Sequence, residues 1–409
     1  MLKEISNGIT APRGFLAAGV QAEIKRSKKD LAIIFSEVPA VAAGVFTLNK
    51  IQAAPVVYDK EQLQRSSRFS AIVVNSGNAN ACTGERGYQD TIATAQAAAK
   101  ALHIPQSEVL ISSTGVIGQL LPMEKILNGI QIAASKLRVD GSADAAAAIM
   151  TTDTYPKETA VEYTIGTTPI RIGCISKGSG MIAPIMALPD GAKHATMLAF
   201  ITTDAAITPS ALASALSASN EVSFNRLTVD GDTSTNDMAL ILANGRAGNP
   251  AITEGSKEFE AFTAALTHVL IAHAKLIARD GEGATKLIEL LVRGAKTEAE
   301  AVRAARAIAN SNLVKTAIHG ADANWGRILA AVGYSGIDFM PESVQIFFND
   351  LIILDKDFDA RFSEEKAKEI LQKENIFLTV NLNQGSAFAT LWTCDLSCEY
   401  ITINASYRS

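Results

Sequence analysis

Short apolar runs alternate with alanine-rich segments along the first half of the chain. The runs Leu31–Phe35 and Ala71–Val74 are rich in β-branched residues and predict buried strands. The segments Asp90–Leu102 and Ala143–Met150 contain many alanines, the residue with the highest helix propensity, so we predict helices there. The first half of the chain is therefore expected to mix strands and helices.

The second half of the chain repeats this mixture. Helices are predicted over residues 209–218, 257–278 and 298–310, and strands over residues 344–348, 376–380 and 387–391. These elements alternate without a regular βαβ period, and the sequence lacks a glycine-rich dinucleotide loop. The pattern therefore favours an α/β layer fold with mixed, largely antiparallel sheets over a doubly wound parallel sheet.

Composition narrows the class of protein further. The chain has 409 residues, enough for two or three domains of about 150 residues each. Its 37 basic and 42 acidic residues give a net charge of −5, which argues against nucleic acid or an anionic membrane as a partner. The densest basic cluster, Lys25–Lys29, is interpreted as a solvated turn. The sequence contains no run of about 18 apolar residues and no secretory signal, so we expect a cytoplasmic protein.

Cysteine and histidine positions give no sign of a metal centre or a cofactor. The four cysteines are too few and too scattered for a disulfide framework. Cys394 and Cys398 have no partner pair at zinc-ligand spacing, and Cys398 lies in a segment interpreted as a strand. His319 is interpreted as part of either a structural turn or a functional loop. No pair of histidines forms an H-x-x-x-H motif with a carboxylate base and the sequence has no Walker loop, so we expect neither metal nor cofactor. A nucleophile elbow is also missing, which argues against a Ser-His-Asp site.

A proline- and glycine-rich segment, Gly178–His194, precedes an apolar run headed by Thr196. Its two prolines and three glycines rule out a continuous helix or a central strand. A threonine at a chain terminus can act as a nucleophile with its own α-amine as the base, since that amine has a pKa of about 7.7–8.0. This chemistry requires cleavage of the Ala195–Thr196 bond, which the Thr196 hydroxyl could begin by attacking the Ala195 carbonyl.

Three polar loops flanked by glycine recur along the chain. They cover residues 75–84, 112–118 and 230–237. Each loop alone is typical of a turn, because Asn, Asp, Ser and Gly favour turn conformations. Several such loops together with a strand headed by threonine indicate a site built from backbone N–H groups and hydroxyls.

The chain resembles the ornithine acetyltransferase family of arginine biosynthesis in long, ordered motifs. These motifs are Asn75–Gly84, Ser113–Gly118, Thr151–Thr154, Lys177–Pro184, Ala195–Leu198, Thr203–Ala205, Asp230–Asp237 and Asn404–Tyr407. The resemblance implies a layered α/β sandwich related to self-cleaving aminopeptidases. It also implies a precursor that cuts itself into residues 1–195 and 196–409, with two alpha and two beta chains in a heterotetramer.

One departure from the family pattern lies just before the implied cleavage site. Residues 187–194 intervene between the Gly-Met-Ile-Ala-Pro-Ile-Met stretch and Ala195, where family members usually run directly into Ala-Thr-Met-Leu. This insertion places Lys193 and His194 beside the site and bears on the efficiency of self-cleavage. The Ala-Thr-Met-Leu motif is intact, so Thr196 remains the implied nucleophile.

The resemblance implies that an acetyl group moves from N2-acetyl-L-ornithine to L-glutamate through an acetyl-Thr196 intermediate. The implied oxyanion donors are the Thr114 hydroxyl and the Gly115 N–H, and Lys177 would bind a substrate carboxylate. The further positions that match substrate-binding residues of the family are Thr151 or Thr152, with Thr151 preferred, Glu282, Asn404 and Ser409.

Other functions stay open at this point. A self-processing aminopeptidase or amidohydrolase would use the same nucleophile but pass the acyl group to water. A ligand-binding homologue that is not cut would carry the same motifs without activity. The sequence also leaves open whether acetyl-CoA serves as a second acetyl donor.

Overall fold

The computed structural model describes residues 2–189 and 197–406, which form two compact units. The described residues of the first unit fall within Met1–Asn225 and Asp232–His273. Those of the second unit fall within Arg226–Gly231 and Ala274–Ser409. Two units agree with the two or three domains expected from the length of the chain. Their boundary does not coincide with the predicted cleavage site, which stays a prediction.

A ten-stranded sheet forms the centre of the first unit. Its strands are β1 (Lys3–Glu4), β2 (Phe15–Val20), β3 (Leu31–Thr47), β4 (Phe69–Asn78), β5 (Val109–Val116), β6 (Lys157–Ile165), β7 (Thr168–Lys177), β8 (Met186–Ala187), β9 (Leu198–Thr203) and β10 (Met238–Ala243). The order is β1-β6-β7-β9-β10-β3-β4-β5, and β2 and β8 also pair with β3. Among these described strands only β9–β10 and β4–β5 are parallel, which confirms the largely antiparallel sheet.

Strand β3 joins two parts of this sheet. Its first residues, Leu31–Phe35, pair with β4, and its last part pairs with β10 from residue 41 onwards. The register shifts between Phe35 and Ala40, an irregularity of the kind that bends a strand. After the shift Ala40 still pairs with Phe69 of β4, and from Val41 onwards β3 pairs with β10, so one long strand serves both parts.

Side chains of β3 alternate between two apolar clusters, as the period of a strand requires. Ala32 and Ile34 pack with Phe200 of β9 in one cluster, whereas Leu31 and Ile33 belong to the other. Buried residues of the helices add to both clusters, and each face of this part of the sheet is covered. Burial on both faces explains why β3 and β4 are continuously apolar in sequence.

Helices of the first unit follow the alanine pattern in part. They are α1 (Ala54–Arg65), α2 (Gly84–Leu102), α3 (Met123–Ser135), α4 (Ser142–Ile149), α5 (Pro209–Glu221) and α6 (Lys257–Arg279), the last of which continues into the second unit. The helices predicted at Asp90–Leu102 and Ala143–Met150 are confirmed as α2 and α4, and those over 209–218 and 257–278 as α5 and α6. Helices α1 and α3 are additional.

The second unit has a sheet of its own. Its strands are β11 (Leu287–Ala295), β12 (Gln345–Phe348), β13 (Leu351–Leu354), β14 (Asn375–Asn381) and β15 (Ala387–Cys394), in the order β13-β12-β14-β11-β15. Its helices are α7 (Glu298–Ala309), α8 (Asn312–His319), α9 (Trp325–Gly333), α10 (Glu364–Leu371) and α11 (Cys398–Ala405). Leu290 and Val292 of β11 pack with Ala304 and Ile308 of α7 in its core. The helix over 298–310 and the three strands predicted in this half are confirmed.

Two expectations about single segments change. Cys398 begins helix α11 and does not lie in a strand, because Ser397 caps that helix by accepting a hydrogen bond from the Glu399 N–H.

Helix α6, with 23 residues, is long and apolar enough by length and composition to cross a membrane. Half of its most apolar window is buried inside the structure, as in the core helices of many proteins.

Candidate active site

Three neighbouring strands of the first unit bring predicted site residues to one end of the sheet. Lys177 is the last residue of β7 and pairs with Leu198, the first residue of β9. Leu198 also pairs with Met238, the first residue of β10, whose N–H donates to the Met197 carbonyl at 3.0 Å. Lys177, predicted to bind a carboxylate, is 4% exposed and lies beside the strand that Thr196 precedes in sequence. Ala195 and Thr196 are outside the described residues, and so is Ser409.

Asn236 ties the polar loop over 230–237 to the polar segments at 75–84 and 112–118. The buried Asn236 amide donates to the Ala79 carbonyl at 2.6 Å and to the Ser113 carbonyl at 2.7 Å. Ser113 is the residue before Thr114. Because an amide that makes two buried hydrogen bonds fixes both segments, this loop holds the start of β10 against the end of β5.

The predicted oxyanion residues lie at the end of β5, beside β4. Thr114 is 7% exposed, and Gly115 pairs with Gly77 of β4. Gly115 has a φ of +134°, and a Cβ there would stand 2.3 Å from the Gly77 carbonyl carbon. Only glycine fits this close approach of two backbones. The role of Thr114 and Gly115 as oxyanion donors stays a prediction.

A buried carboxylate, that of Asp153, joins two more of the predicted site segments. Its Oδ1 accepts from the Lys157 ammonium at 2.7 Å and from the Gly178 N–H at 2.8 Å. Its Oδ2 accepts from the Thr151 N–H at 2.9 Å. Asp153 therefore fixes the backbone of Thr151, the preferred substrate contact, and of the residue that follows Lys177.

The charge state of Asp153 follows from these neighbours. Burial alone would raise the pKa of its carboxyl, but the charges of Lys157 and Lys177 and the hydrogen bonds from Lys157 and Gly178 hold that pKa at about 2. The side chains of Asp153 and Lys157 are both fully buried. Sequence reasoning missed this pair, although Asp153 stands inside the Thr151–Thr154 motif and is its one acidic residue.

In the second unit the structure brings two predicted substrate-binding residues into contact. The Asn404 amide of α11 donates to Glu282 Oε2 at 2.7 Å, and Glu282 is only 7% exposed. Gly283 has a φ of +69°, and a Cβ there would stand 2.6 Å from the Tyr400 backbone nitrogen. The loop that carries Glu282 therefore lies directly on α11.

His319 and Lys25 also have surroundings that the sequence did not settle. His319 ends helix α8, and its Nδ1 lies 2.7 Å from Asp395 Oδ2. Asp395 also accepts from the backbone N–H groups of Thr285 and Lys286, which favours the structural interpretation of His319. The basic cluster Lys25–Lys29 lies in a bend in which Arg26, Ser27 and Lys28 are exposed, whereas the Lys25 side chain is half-buried and donates to the Met150 carbonyl.

The described residues define a mixed α/β protein in which buried hydroxyl, amide and ammonium groups lie near the ends of strands. The family model of the ArgJ family matches residues 16–409. The arginine biosynthesis bifunctional protein ArgJ of Symbiobacterium thermophilum is 51% identical over 99% of this chain and 99% of its own length. That of Caldanaerobacter subterraneus subsp. tengcongensis is 50% identical over 99% of this chain and 100% of its own length. The chain therefore belongs to the ArgJ family.

A solved structure also matches part of the chain. It is the ornithine acetyltransferase of Mycobacterium tuberculosis in complex with ornithine, which is 43% identical. The match covers 46% of this chain and 100% of that chain, with a TM-score of 0.43.

The buried pair of Asp153 and Lys157 leads to a prediction about stability. Asp153→Asn leaves the Lys157 ammonium buried without its counter-charge, which typically costs about 3–5 kcal/mol. The free energy of unfolding measured with urea is expected to fall by that amount. Asp140→Asn is the matched control, since Asp140 is exposed and its ion pair with Arg138 lies on the surface, where such pairs contribute about 0–1 kcal/mol.

The same carboxylate predicts how stability depends on pH. The pKa of Asp153 is about 2 in the folded protein and about 3.9 in an unfolded chain. The unfolded state therefore binds more protons between these values, so the stabilisation is complete above about pH 4 and is lost as the pH falls towards 2. A wild-type protein with the same acid sensitivity as Asp153→Asn would contradict this assignment.

Proposed function

We propose that this member of the ArgJ family is an acetyltransferase of arginine biosynthesis. It moves an acetyl group from N2-acetyl-L-ornithine to L-glutamate through an acetyl-Thr196 intermediate. The observation that carries the proposal is the placement of Lys177, the start of β9 and the loop tied to the end of β5 at one end of a sheet. The names of the relatives support the pathway. Membership of this family does not favour the aminopeptidase alternative.

The proposed reaction is a double displacement. Thr196 Oγ attacks the acetyl carbonyl carbon, the amide C–N bond breaks, and ornithine leaves with the proton that the Thr196 α-amine has taken from the hydroxyl. The glutamate amine then attacks the acetyl ester, and its proton returns to the Thr196 oxygen. The negative oxygen that develops in both steps is stabilised by the Thr114 hydroxyl and the Gly115 N–H. Loss of one such donor typically costs about 10²–10³ in rate.

Substrate binding in this proposal uses groups of opposite charge. Lys177 binds the α-carboxylate that both amino acids carry, with Thr151 and Ser409 as further contacts. Glu282 binds the δ-ammonium of ornithine, and the Asn404 amide that donates to it holds the carboxylate in place. Within the described residues no group of three or more His, Cys, Asp or Glu is placed to hold a metal ion.

Self-cleavage supplies the nucleophile in this proposal. Thr196 Oγ attacks the Ala195 carbonyl, the peptide C–N bond breaks, and water hydrolyses the resulting ester to give residues 1–195 and 196–409. Strands β9 and β10 would then belong to the second chain but lie between β7 and β3 of the first. Separation of the two chains would break the hydrogen-bonded ladders between β7 and β9 and between β10 and β3, and it would expose buried apolar residues. We therefore propose that the two chains remain together, as two alpha and two beta chains in the cytoplasm.

The relatives are described as bifunctional proteins. We include acetyl-CoA as a second acetyl donor to glutamate in the proposal. Assays of the purified protein with acetylornithine alone and with acetyl-CoA alone decide between one activity and two. The same assays, run without glutamate, measure release of acetate to water and so distinguish a transferase from an amidohydrolase.

Thr196→Ala tests both cleavage and catalysis. Without the hydroxyl the chain is expected to stay uncut near 43.2 kDa and to transfer no acetyl group, whereas Thr196→Ser keeps a hydroxyl and is expected to be cut. Intact-mass measurement gives the fragments, and ornithine release gives the activity. An active wild-type preparation that contains only the full chain would rule out the proposed nucleophile and favour an uncut homologue.

Thr114→Ala tests the oxyanion role. The hydroxyl acts where negative charge develops, so we expect kcat to fall by about 10²–10³ with a much smaller change in KM. Thr114→Ser keeps the hydroxyl and serves as the matched variant. An increase in KM at unchanged kcat would instead make Thr114 a binding residue.

Lys177→Met tests whether this cation binds the shared α-carboxylate. The variant keeps much of the apolar stem and removes the charge, which typically weakens binding by about one to two decades. We expect higher KM values for both acetylornithine and glutamate, with self-cleavage intact, while Lys100→Met on the exposed face of α2 changes neither. A variant that stays uncut, or one that binds both substrates normally, excludes the carboxylate role.

A further inference from the structure

Lys25 lies against two segments that the proposed site uses. Its Nζ donates to the Met150 carbonyl at 3.0 Å, directly before Thr151. Its Cγ is 2.9 Å from the position that a Cβ would take at Gly77, whose φ is +102°. Gly77 pairs with Gly115 in the β4–β5 ladder. Lys25 therefore spans the end of β4, next to the predicted oxyanion residues of β5, and the backbone directly before Thr151.

The stem of Lys25 needs the glycine beneath it. Any side chain at Gly77 would press on the Lys25 Cγ and on Ile24 Cγ2, which lies 3.2 Å from the same Cβ position. The left-handed φ also disfavours other residues at this point. Both properties fix the lysine over the strand end, whereas a solvated turn would leave it free to extend into water.

The Lys25 ammonium has charged groups around it, and its hydrogen-bond partner is the Met150 carbonyl. Burial is the main cause that lowers the pKa of Lys25 to about 8. The negative charges of Asp30 and Asp153 raise this pKa, and the positive charges of Lys28 and Lys177 lower it further. The Asp30 carboxylate already accepts from the backbone N–H groups of Ala22 and Lys25, and Asp153 is paired with Lys157. In the part of the chain that the structure describes, the Lys25 ammonium is hydrogen-bonded to a carbonyl rather than to a carboxylate. It is suited to receive an anion.

The two amino acids of the proposed reaction, on which this inference rests, differ at the end of their side chains. Ornithine ends in an ammonium, which Glu282 would attract, whereas glutamate ends in a γ-carboxylate, which Glu282 would repel. A site that accepts glutamate therefore needs a second cation besides the one that binds the α-carboxylate. We propose that Lys25 binds the γ-carboxylate of the glutamate acceptor and so selects an acidic amino acid in the second half-reaction.

The experiment compares glutamate with glutamine, its neutral amide analogue, in wild type and in Lys25→Met. In the variant we expect kcat/KM for glutamate to fall about 10- to 100-fold, the usual effect of losing one charge-assisted hydrogen bond. The value for glutamine is expected to change less than about threefold, and acetyl-enzyme formation from acetylornithine is expected to be unchanged. Lys28→Met, in the same segment but exposed, is the matched control. Lys25→Gln is a second neutral replacement if the methionine variant does not fold.

A dependence on pH provides an independent readout. Lys25 loses its charge as the pH rises through about 8, so the wild-type preference for glutamate over glutamine is expected to decrease from pH 7 to pH 9. In Lys25→Met the preference is expected to be small and constant over that range. Where glutamine is acetylated too slowly to follow, its inhibition constant against glutamate gives the same comparison.

Equal losses for glutamate and glutamine, or no loss for either, would overturn the assignment of Lys25, and so would a defect confined to acetyl-enzyme formation. A wild-type protein that forms no acetyl-enzyme from acetylornithine would contradict the proposed function instead. The two failures are thus seen in different steps of the same assay.

Discussion

The carboxylate of Asp153 is buried together with the ammonium of Lys157, and the geometry of the proposed site depends on this pair. A buried charge is tolerated only when it is paired and its remaining hydrogen-bonding capacity is used. Asp153 meets that requirement with the N–H groups of Thr151 and Gly178, so electrostatic necessity fixes two loops at once. The backbone on either side of Lys177 is therefore set by the ladder of β7 and by this carboxylate.

A second constraint comes from the order of strands. The segment that carries Thr196 leads into β9, which lies inside the sheet between β7 and β10, and its neighbours come from both sides of the proposed cleavage site. A cut just before an internal strand changes the covalent chain but leaves each hydrogen-bonded ladder intact. In the proposed cleavage the hydrogen bonds of Asn236 to Ser113 and of Met238 to Met197 would not depend on the bond that is cut.

Much of the fold could be predicted from the sequence, because strands buried on both faces and alanine-rich helices leave strong local patterns. Helix α1 leaves a weaker one, since it begins Ala54-Pro55 and continues with several polar residues. Among the site residues, the motifs indicated Lys177, Glu282 and Asn404, and the contact between the last two follows from chain segments far apart in sequence. Lys25 could not be found in this way. Arg26 and Lys28 in the same segment are exposed, and Lys25 differs from them by the packing of its stem at Gly77 and by its bond to the Met150 carbonyl, both of which join segments far apart in sequence.

The proposed reaction requires groups of both signs to bind its two amino acids. The leaving amino acid carries a side-chain cation and the entering one a side-chain anion, so a fixed field that favoured one would oppose the other. Glu282 is stabilised by an amide donor, and Lys25 by a backbone carbonyl, so that each is held by a neutral partner rather than by a counter-ion. A charge held in this way keeps its attraction for a ligand, whereas a charge already neutralised by an ion pair would have to break that pair to bind. Asp153 and Lys157 illustrate the second case, and their role is accordingly to position the site.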